Sequence, residues 1–280
     1  MPNASRGSSP VPRFGQERVA AAQTAPFTVR FGWGEAGAAI LTPGSDVVVV
    51  VDVITFTTAV AVAVDRGCAV YPHRWDDLAA GDLARSLGSE LAVSRSRVDA
   101  TNPYSLSPAT LSHLPRGAAI VLPSPNGSAI SQTVSQSGAV VIAGSLRNAA
   151  AVARYARRAG RNISVIAAGE RWPDQSLDPA LEDHVGAGAI IDGLRGRRRS
   201  PEARAAACAY RDARSRGLRR ALFESVSARE QRRRGYPDEL EWACALNVST
   251  CVPILSDGAF RPASGPVRTA GVRPPTDVDR

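Results

Sequence analysis

A run of five valines, Val47 to Val51, most constrains what this chain can fold into. β-Branched residues favour extended strands, and a strand without polar alternation must be covered on both faces. Asp52 follows the run directly, and "ITFTTAVAVAV" then continues with three threonines and a helix-like apolar pattern. A strand, a polar loop and a helix in this order are typical of an α/β protein with a parallel sheet.

The same alternation of strand-like and helix-like segments continues along the chain. Short Val/Ile-rich runs, each bounded by Gly, Pro, Asp or Ser, are separated by segments with helical spacing. The strand-like runs are "DVVVVVDV", "CAVYPHR", "ELAVSRS", "AAIVLPS", "AVVIAGS" and "ISVIAAG". We therefore predict an α/β fold with three layers, α/β/α, and a largely parallel sheet.

Both ends of the chain are rich in Pro, Ser, Gly and Arg and show little apolar periodicity. We expect residues 1–26 and 263–280 to be disordered tails and residues 27–262 to form one α/β domain. The N-terminal segment lacks the continuous apolar stretch of a secretory signal, and no later run is long enough to span a bilayer. The expectation is a cytoplasmic protein with no membrane partner.

The chain is basic, with a formal net charge of +8, and all 34 basic residues are arginine. Arginine without lysine, beside abundant Ala, Val and Gly, indicates a compositional bias as much as selection for phosphate contacts. We interpret "RGRRRS" and "RRRG" as solvated faces and expect no nucleic-acid partner, although binding through Arg197 and Arg198 stays open as an alternative. The four widely spaced cysteines indicate neither a zinc site nor a disulfide framework.

Small polar residues gather where four predicted strands end. Ligands of open parallel sheets bind at the carboxyl ends of strands. Gly, Ser, Thr and Asn at helix starts let backbone N–H groups approach an anion, and the helix dipole favours its charge, so phosphate is the expected ligand. The candidate phosphate-binding residues are Thr57, Thr58, Asn126, Gly127, Ser128, Ser145 and Asn148.

Three carboxylates fall at the same predicted edge: Asp52 after the first valine strand, and Glu182 and Asp183 early in a later helix. Mg²⁺ takes one or two carboxylates together with water and substrate phosphate. We predict all three as Mg²⁺ ligands, and Asp52 and Asp183 as catalytic residues. A structural alternative stays open, because Asp, Ser and Thr cap helices and acidic residues stabilise a first helical turn.

The order of these loops resembles the 2-phosphosulfolactate phosphatase (ComB) family. The similar stretches run from "VVVVDVITFTTAVAVAVDRG" through "SLSPATL", "VLPSPNGSAI" and "IAGSLRNAAAVA" to "VIAAGERWPDQSLDPALEDHVGAGAII", and more faintly to "DELEWACALNVSTCVPIL". The resemblance implies a ComB-like α/β fold and a Mg²⁺-dependent phosphoric monoester hydrolase that converts 2-phosphosulfolactate to sulfolactate and phosphate. The residues that match the family motifs are Asp52, Thr57, Thr58, Asn126, Gly127, Gly144, Ser145, Asn148, Ala168, Gly169, Glu182 and Asp183. A small phosphorylated substrate is the expected partner, and a homo-oligomer stays open.

Two positions depart from the family pattern. Thr55 stands where the family has the arginine of Asp-Val-Leu-Arg-Ala-Thr-Thr, and residues 106–108 read "LSP" where the family has "NSP". A threonine cannot hold a phosphate or sulfonate through a bidentate guanidinium contact. Our hypothesis is that Arg147 or Arg171 supplies the missing charge. The alternative function is a non-catalytic phosphometabolite-binding protein that has lost turnover.

Overall fold

A computed structural model of the chain describes residues 26–75 and 77–263. The predicted domain, residues 27–262, falls within this part of the chain except for residue 76. The predicted tails, residues 1–26 and 263–280, lie outside the described residues apart from Pro26 and Ala263.

Strands and helices alternate through the first two thirds of the described chain, and helices then predominate up to a final hairpin. The strands are β1 (Val29–Trp33), β2 (Val47–Val51), β3 (Ala69–His73), β4 (Glu90–Leu91), β5 (Ala119–Pro123), β6 (Val140–Gly144), β7 (Ile163–Ala167), β8 (Glu170–Arg171), β9 (Leu177–Asp178), β10 (Pro253–Ser256) and β11 (Ala259–Pro262). The helices are α1 (Gly34–Leu41), α2 (Phe56–Asp65), α3 (Asp77–Leu87), α4 (Pro108–Leu111), α5 (Gly127–Val134), α6 (Ala149–Ala159), α7 (Leu181–Gly193), α8 (Pro201–Ser215), α9 (Leu218–Phe223), α10 (Val226–Arg233) and α11 (Asp238–Cys244). Short 3₁₀ turns occupy residues 42–44, 95–97 and 146–148.

Nine of these strands form one sheet in the order β1-β7-β2-β6-β10-β11-β3-β5-β4, and β8 pairs with β9 in a separate hairpin. The first four strands are parallel to one another, as are the last three. The β10–β11 hairpin joins the two blocks through three antiparallel pairings, so the blocks run in opposite directions. The prediction of a largely parallel sheet is confirmed, and the reversal between its two halves is a finding of the structure.

Helices cover both faces of the sheet, and β2 lies at the centre of the core. All five valines of β2 have 0% exposure. Val47, Val49 and Val51 belong to the apolar cluster formed with α6, α7 and α8, whereas Val48 and Val50 face the cluster that includes α1, α2 and α5. Burying one valine side chain contributes roughly 1.5 kcal/mol or more. The predicted three-layer α/β/α fold is confirmed.

The helices follow from the same sequence patterns. In α6 the buried positions recur at helical spacing, with Ala149, Val152, Ala153 and Ala156 on the core side and arginines in the last turn. The C-terminal helices α9, α10 and α11 add their buried residues to the same cluster as α7 and α8. No helix in the described part of the chain is long and apolar enough to cross a membrane.

Candidate active site

Asp52 joins the starts of two helices at the end of β2. Its carboxylate Oδ1 accepts a hydrogen bond from the backbone N–H of Phe56 at 3.1 Å, and Oδ2 accepts one from Gly127 N–H at 2.9 Å. Phe56 begins α2 and Gly127 begins α5, whose first N–H groups lack partners inside their helices. The side chain is therefore fixed from both oxygens and is only 6% exposed.

Gly127 is required at its position by this close approach. A Cβ there would lie 2.3 Å from Phe56 Cδ1 and 2.7 Å from Asp52 Oδ2, closer than atoms pack. The glycine of the "NG" turn thus lets the backbone of α5 reach the aspartate. This is a packing requirement, in addition to the predicted phosphate contact.

Asp183, in the first turn of α7, fixes the loop that carries Asp52. Its Oδ1 accepts from Val53 N–H at 2.6 Å, and its Oδ2 accepts from Gly169 N–H at 2.8 Å. Val53 adjoins Asp52, and Gly169 follows β7, so one carboxylate ties the ends of β2 and β7 together. The residue is 4% exposed.

Two glutamates, one buried and one half-buried, form a group of acids with Asp52 and Asp183. Glu182 is 1% exposed, and its Oε2 has no hydrogen-bond partner among the described residues. Glu170, at the start of β8, accepts a hydrogen bond from the Asn126 side-chain amide at 3.0 Å. The expectation that Asp52, Glu182 and Asp183 share one edge is matched by their mutual electrostatic influence.

Burial raises the pKa of every carboxyl group in this set. The pKa of Asp52 rises to about 6, with the nearby charge of Glu182 adding to the effect of burial and the N–H donors of Phe56 and Gly127 opposing it. The pKa of Glu170 rises to about 8, first through burial and then through repulsion by Asp52 and Glu182. The pKa values of Glu182 and Asp183 are raised as well, again mainly by burial. The site disfavours negative charge that nothing offsets.

Among the predicted phosphate-binding residues, Asn126 lies at a pocket and the Gly127 N–H is held by Asp52. The other five are buried, with their side chains bonded to backbone groups or to each other: Thr57 to Asp52 O, Thr58 to Val53 O, Ser128 to Leu122 O, Ser145 to Asn148 Oδ1, and Asn148 to Ala143 O and Cys251 O. Such hydrogen bonds cap helices and hold loops in place. Phosphate binding by these residues stays a prediction.

A pocket of about 190 Å³ opens beside Asn126 and Glu170. Arg171 and Glu35 also line it, and Arg171 Nη2 lies 2.7 Å from Glu35 Oε1. Arg74 binds the other oxygen of Glu35 at 2.6 Å. The hydrogen bond from Arg74, supported by Arg171, lowers the pKa of Glu35, whereas the pKa of Glu170 in the same pocket is raised.

The two arginines suggested as substitutes for the missing family arginine have different surroundings. Arg147 stacks on the Trp242 ring, 5.1 Å from its centroid, and Nη1 donates to the Trp242 carbonyl oxygen. Arg171 lines the pocket. Of the two, only Arg171 is positioned to meet a pocket ligand.

Sequence reasoning missed a third arginine, Arg95, which lies against the very residue that replaces the family arginine. Its Nη2 donates to Thr55 Oγ1 at 3.3 Å. Its Nε and Nη2 bind the two carboxylate oxygens of Glu239, each at 2.7 Å. A guanidinium is thus present beside the Asp52 loop, although it comes from a 3₁₀ turn remote in sequence.

The donors of the site suit Mg²⁺ in type. No group of three or more His, Cys, Asp or Glu side chains among the described residues is arranged to hold a metal ion by itself. Mg²⁺ needs only one or two carboxylates when water and phosphate complete its shell. The unpartnered Oε2 of buried Glu182, close to Asp52, is the atom that a cation would satisfy.

A family model described as 2-phosphosulpholactate phosphatase matches residues 40–258, a span that contains the four acids of the site, the pocket amide of Asn126 and Arg95. No curated protein matches the sequence significantly.

Proposed function

Because the chain belongs to the 2-phosphosulpholactate phosphatase family, and is thereby a phosphoric monoester hydrolase, we propose that it hydrolyses 2-phosphosulfolactate in a Mg²⁺-dependent reaction. The observation that supports the Mg²⁺ requirement is the mutual electrostatic influence of the buried acids Asp52, Glu182 and Asp183. Two like charges 4 Å apart repel by about 4 kcal/mol at an effective dielectric constant of 20. A phosphate dianion therefore needs a cation between itself and these acids.

Glu182 and Asp52 are the proposed ligands of the ion, with Asp183 beside them. When bound, Mg²⁺ supplies a Lewis acid that offsets charge on the phosphoryl oxygens. Asp183 has the further task of holding Val53 and Gly169 in place, which keeps the loops after β2 and β7 in register with each other. Both of its oxygens already accept backbone hydrogen bonds.

The substrate anions are assigned to the pocket. Asn126 and Arg171 line it and present amide and guanidinium donors, which suit phosphate or sulfonate oxygens. Arg171 is our choice for the charge that Thr55 cannot supply, with Arg95 supporting the Thr55 loop from its other side.

The decisive experiment is phosphate release from 2-phosphosulfolactate and a panel of small monoesters, with Mg²⁺ and with EDTA. We expect release that EDTA abolishes and Mg²⁺ restores, and loss of release in Asp52→Asn. Asp212→Asn is the matched control, because Asp212 is an exposed α8 residue with 60% of its side chain accessible. A folded protein that releases phosphate from none of the esters would contradict the proposal, and tight ester binding without release would favour the non-catalytic alternative.

A further inference from the structure

The two pocket glutamates have opposite surroundings. Glu35 forms ion pairs with Arg74 and Arg171, and its pKa is lowered by them. Glu170 has no cationic partner among the described residues and instead accepts a neutral amide hydrogen bond from Asn126. Its neighbours in charge are the acids Asp52 and Glu182. One pocket wall thus carries a carboxylate paired with two arginines, and the other carries a carboxyl group bonded to a neutral amide.

The Glu170 side chain is held in place by rigid elements. It begins the β8–β9 hairpin and pairs with Asp178. The preceding residue, Gly169, has φ of +68° and donates its N–H to Asp183 Oδ2. A Cβ on Gly169 would lie 2.8 Å from Leu177 Cδ1, so the backbone there is closely packed as well as conformationally restricted. The backbone that carries Glu170 is therefore held on both sides, and the Asn126 amide holds its carboxyl group at the pocket, as the positioning of a catalytic group requires.

Hydrolysis of an alkyl phosphate monoester calls for a proton donor. Cleavage of the bond between phosphorus and the ester oxygen leaves an alkoxide, which is a poor leaving group until it is protonated. A positioned acid contributes about 10²–10⁴-fold to such a step. A carboxyl group that lines the substrate pocket, is held by a neutral amide and has a raised pKa is suited to this role.

We propose that Glu170 is the general acid that protonates the leaving-group oxygen of the substrate. The inference rests on the proposed phosphatase function. Water adds to phosphorus, the bond from phosphorus to the alkyl oxygen breaks, and the Glu170 proton passes to that oxygen. The proton lost by the attacking water returns to the Glu170 carboxylate through solvent in the pocket, so the step is balanced and consumes only water and ester.

Two esters with different leaving groups test this role. Glu170→Gln keeps an acceptor oxygen for Asn126 but has no acidic proton. We expect kcat to fall by about 10²–10⁴-fold with 2-phosphosulfolactate, whose leaving group needs the proton. With 4-nitrophenyl phosphate, whose phenolate departs without one, we expect a loss of less than about 10-fold. Glu170→Asp keeps the acid on a shorter side chain and should retain more alkyl-ester activity than Glu170→Gln.

The matched control is Glu35→Gln, which removes the charge of the other pocket glutamate and should change both esters by the same factor. Equal losses for both esters in folded Glu170→Gln would overturn the general-acid role while leaving the phosphatase function intact. Wild-type protein that hydrolyses neither ester would overturn the phosphatase function and this role with it. Thermal unfolding of each variant identifies any loss that comes from misfolding.

Discussion

Removal of the Arg95 guanidinium should destabilise the fold far more than removal of an ordinary surface arginine. The Arg95 side chain is 20% exposed and that of its partner Glu239 only 4%, so the pair is largely withdrawn from water. Arg95→Ala would leave the Glu239 carboxylate buried without a cation. It would also remove the hydrogen bond to Thr55 and the contact with the Tyr236 ring at 5.2 Å.

The magnitude follows from burial. Removal of one partner of a buried ion pair costs about 3–5 kcal/mol, because the remaining charge is not solvated. In a domain of this size, that corresponds to a decrease of about 10 °C in the midpoint of thermal unfolding. By contrast, Arg220 and Glu224 have side chains 79% and 66% exposed, and such an i,i+4 pair contributes only about 0.3–0.5 kcal/mol.

The assay is thermal and urea unfolding at pH 7, followed by circular dichroism, with Arg220→Ala as the control. The double variant Arg95→Met, Glu239→Leu should recover much of the loss, since it leaves no unpaired charge. A decrease for Arg95→Ala no larger than that for Arg220→Ala would refute the reasoning. It would mean that Glu239 is solvated, and that Thr55 is not held by a buried pair.

Three further predictions concern the site. Gly127→Ala should lower kcat/KM for phosphate release by about 10²-fold, because the added Cβ would collide with Phe56 and displace Asp52. The control is Gly81→Ala, where an added Cβ meets nothing within 4 Å. Wild-type kinetics for Gly127→Ala would count against the packing argument. In metal-free buffer, the pKa of Glu170 is raised to about 8 in the folded protein. The contribution of protonated Glu170 to the free energy of unfolding is therefore fully present below pH 4.5 and is lost as the pH rises toward 8. Glu170→Gln should therefore be more stable than wild type by about 2 kcal/mol at pH 8 and equal to it at pH 4, after allowance for partial solvation; an unfolding difference that does not depend on pH would exclude this. Mg²⁺ should raise the unfolding midpoint of the wild type over that in EDTA, and an equal rise in Glu182→Gln would exclude that residue as a ligand.

Much of the fold could be predicted because short apolar runs in the sequence indicate which segments are buried. The valines of β2 predict a covered central strand, and each strand-like run that was identified contributes to the sheet. The reversal between the two halves could not be predicted. It depends on the β10–β11 hairpin, whose ladder pairing with β6 and with β3 consists of one residue pair each, Ile254 with Ile142 and Phe260 with Val70. Single long-range pairings leave no periodic signal.

The candidate site, like the fold, could be predicted from the sequence only in part. Asp52 and Asp183 follow strand and helix signals, so their approach could be predicted from the parallel order of β2 and β7. Glu170 also stands at a strand end, but its protonation depends on burial and on neighbours contributed by other segments. Arg95 belongs to a short turn without apolar pattern, and its contact with Thr55 spans 40 residues. Such contacts exist only after folding.

Because of the hydrogen bonds of Asp52, some positions of the site should tolerate substitution less well than others. The aspartate receives one N–H from α2, which follows a strand of the first block, and one from α5, which follows a strand of the second, oppositely directed block. The two oxygens that we propose for the chemistry thus also connect the halves of the sheet, so a substitution of Asp52 should affect both. Arg171, at the pocket rim, does not connect the two blocks, because its ion pair is with Glu35 at the start of α1. Substitutions at the pocket rim can therefore change the substrate preference while the Asp52 contacts between the two blocks of the sheet are preserved.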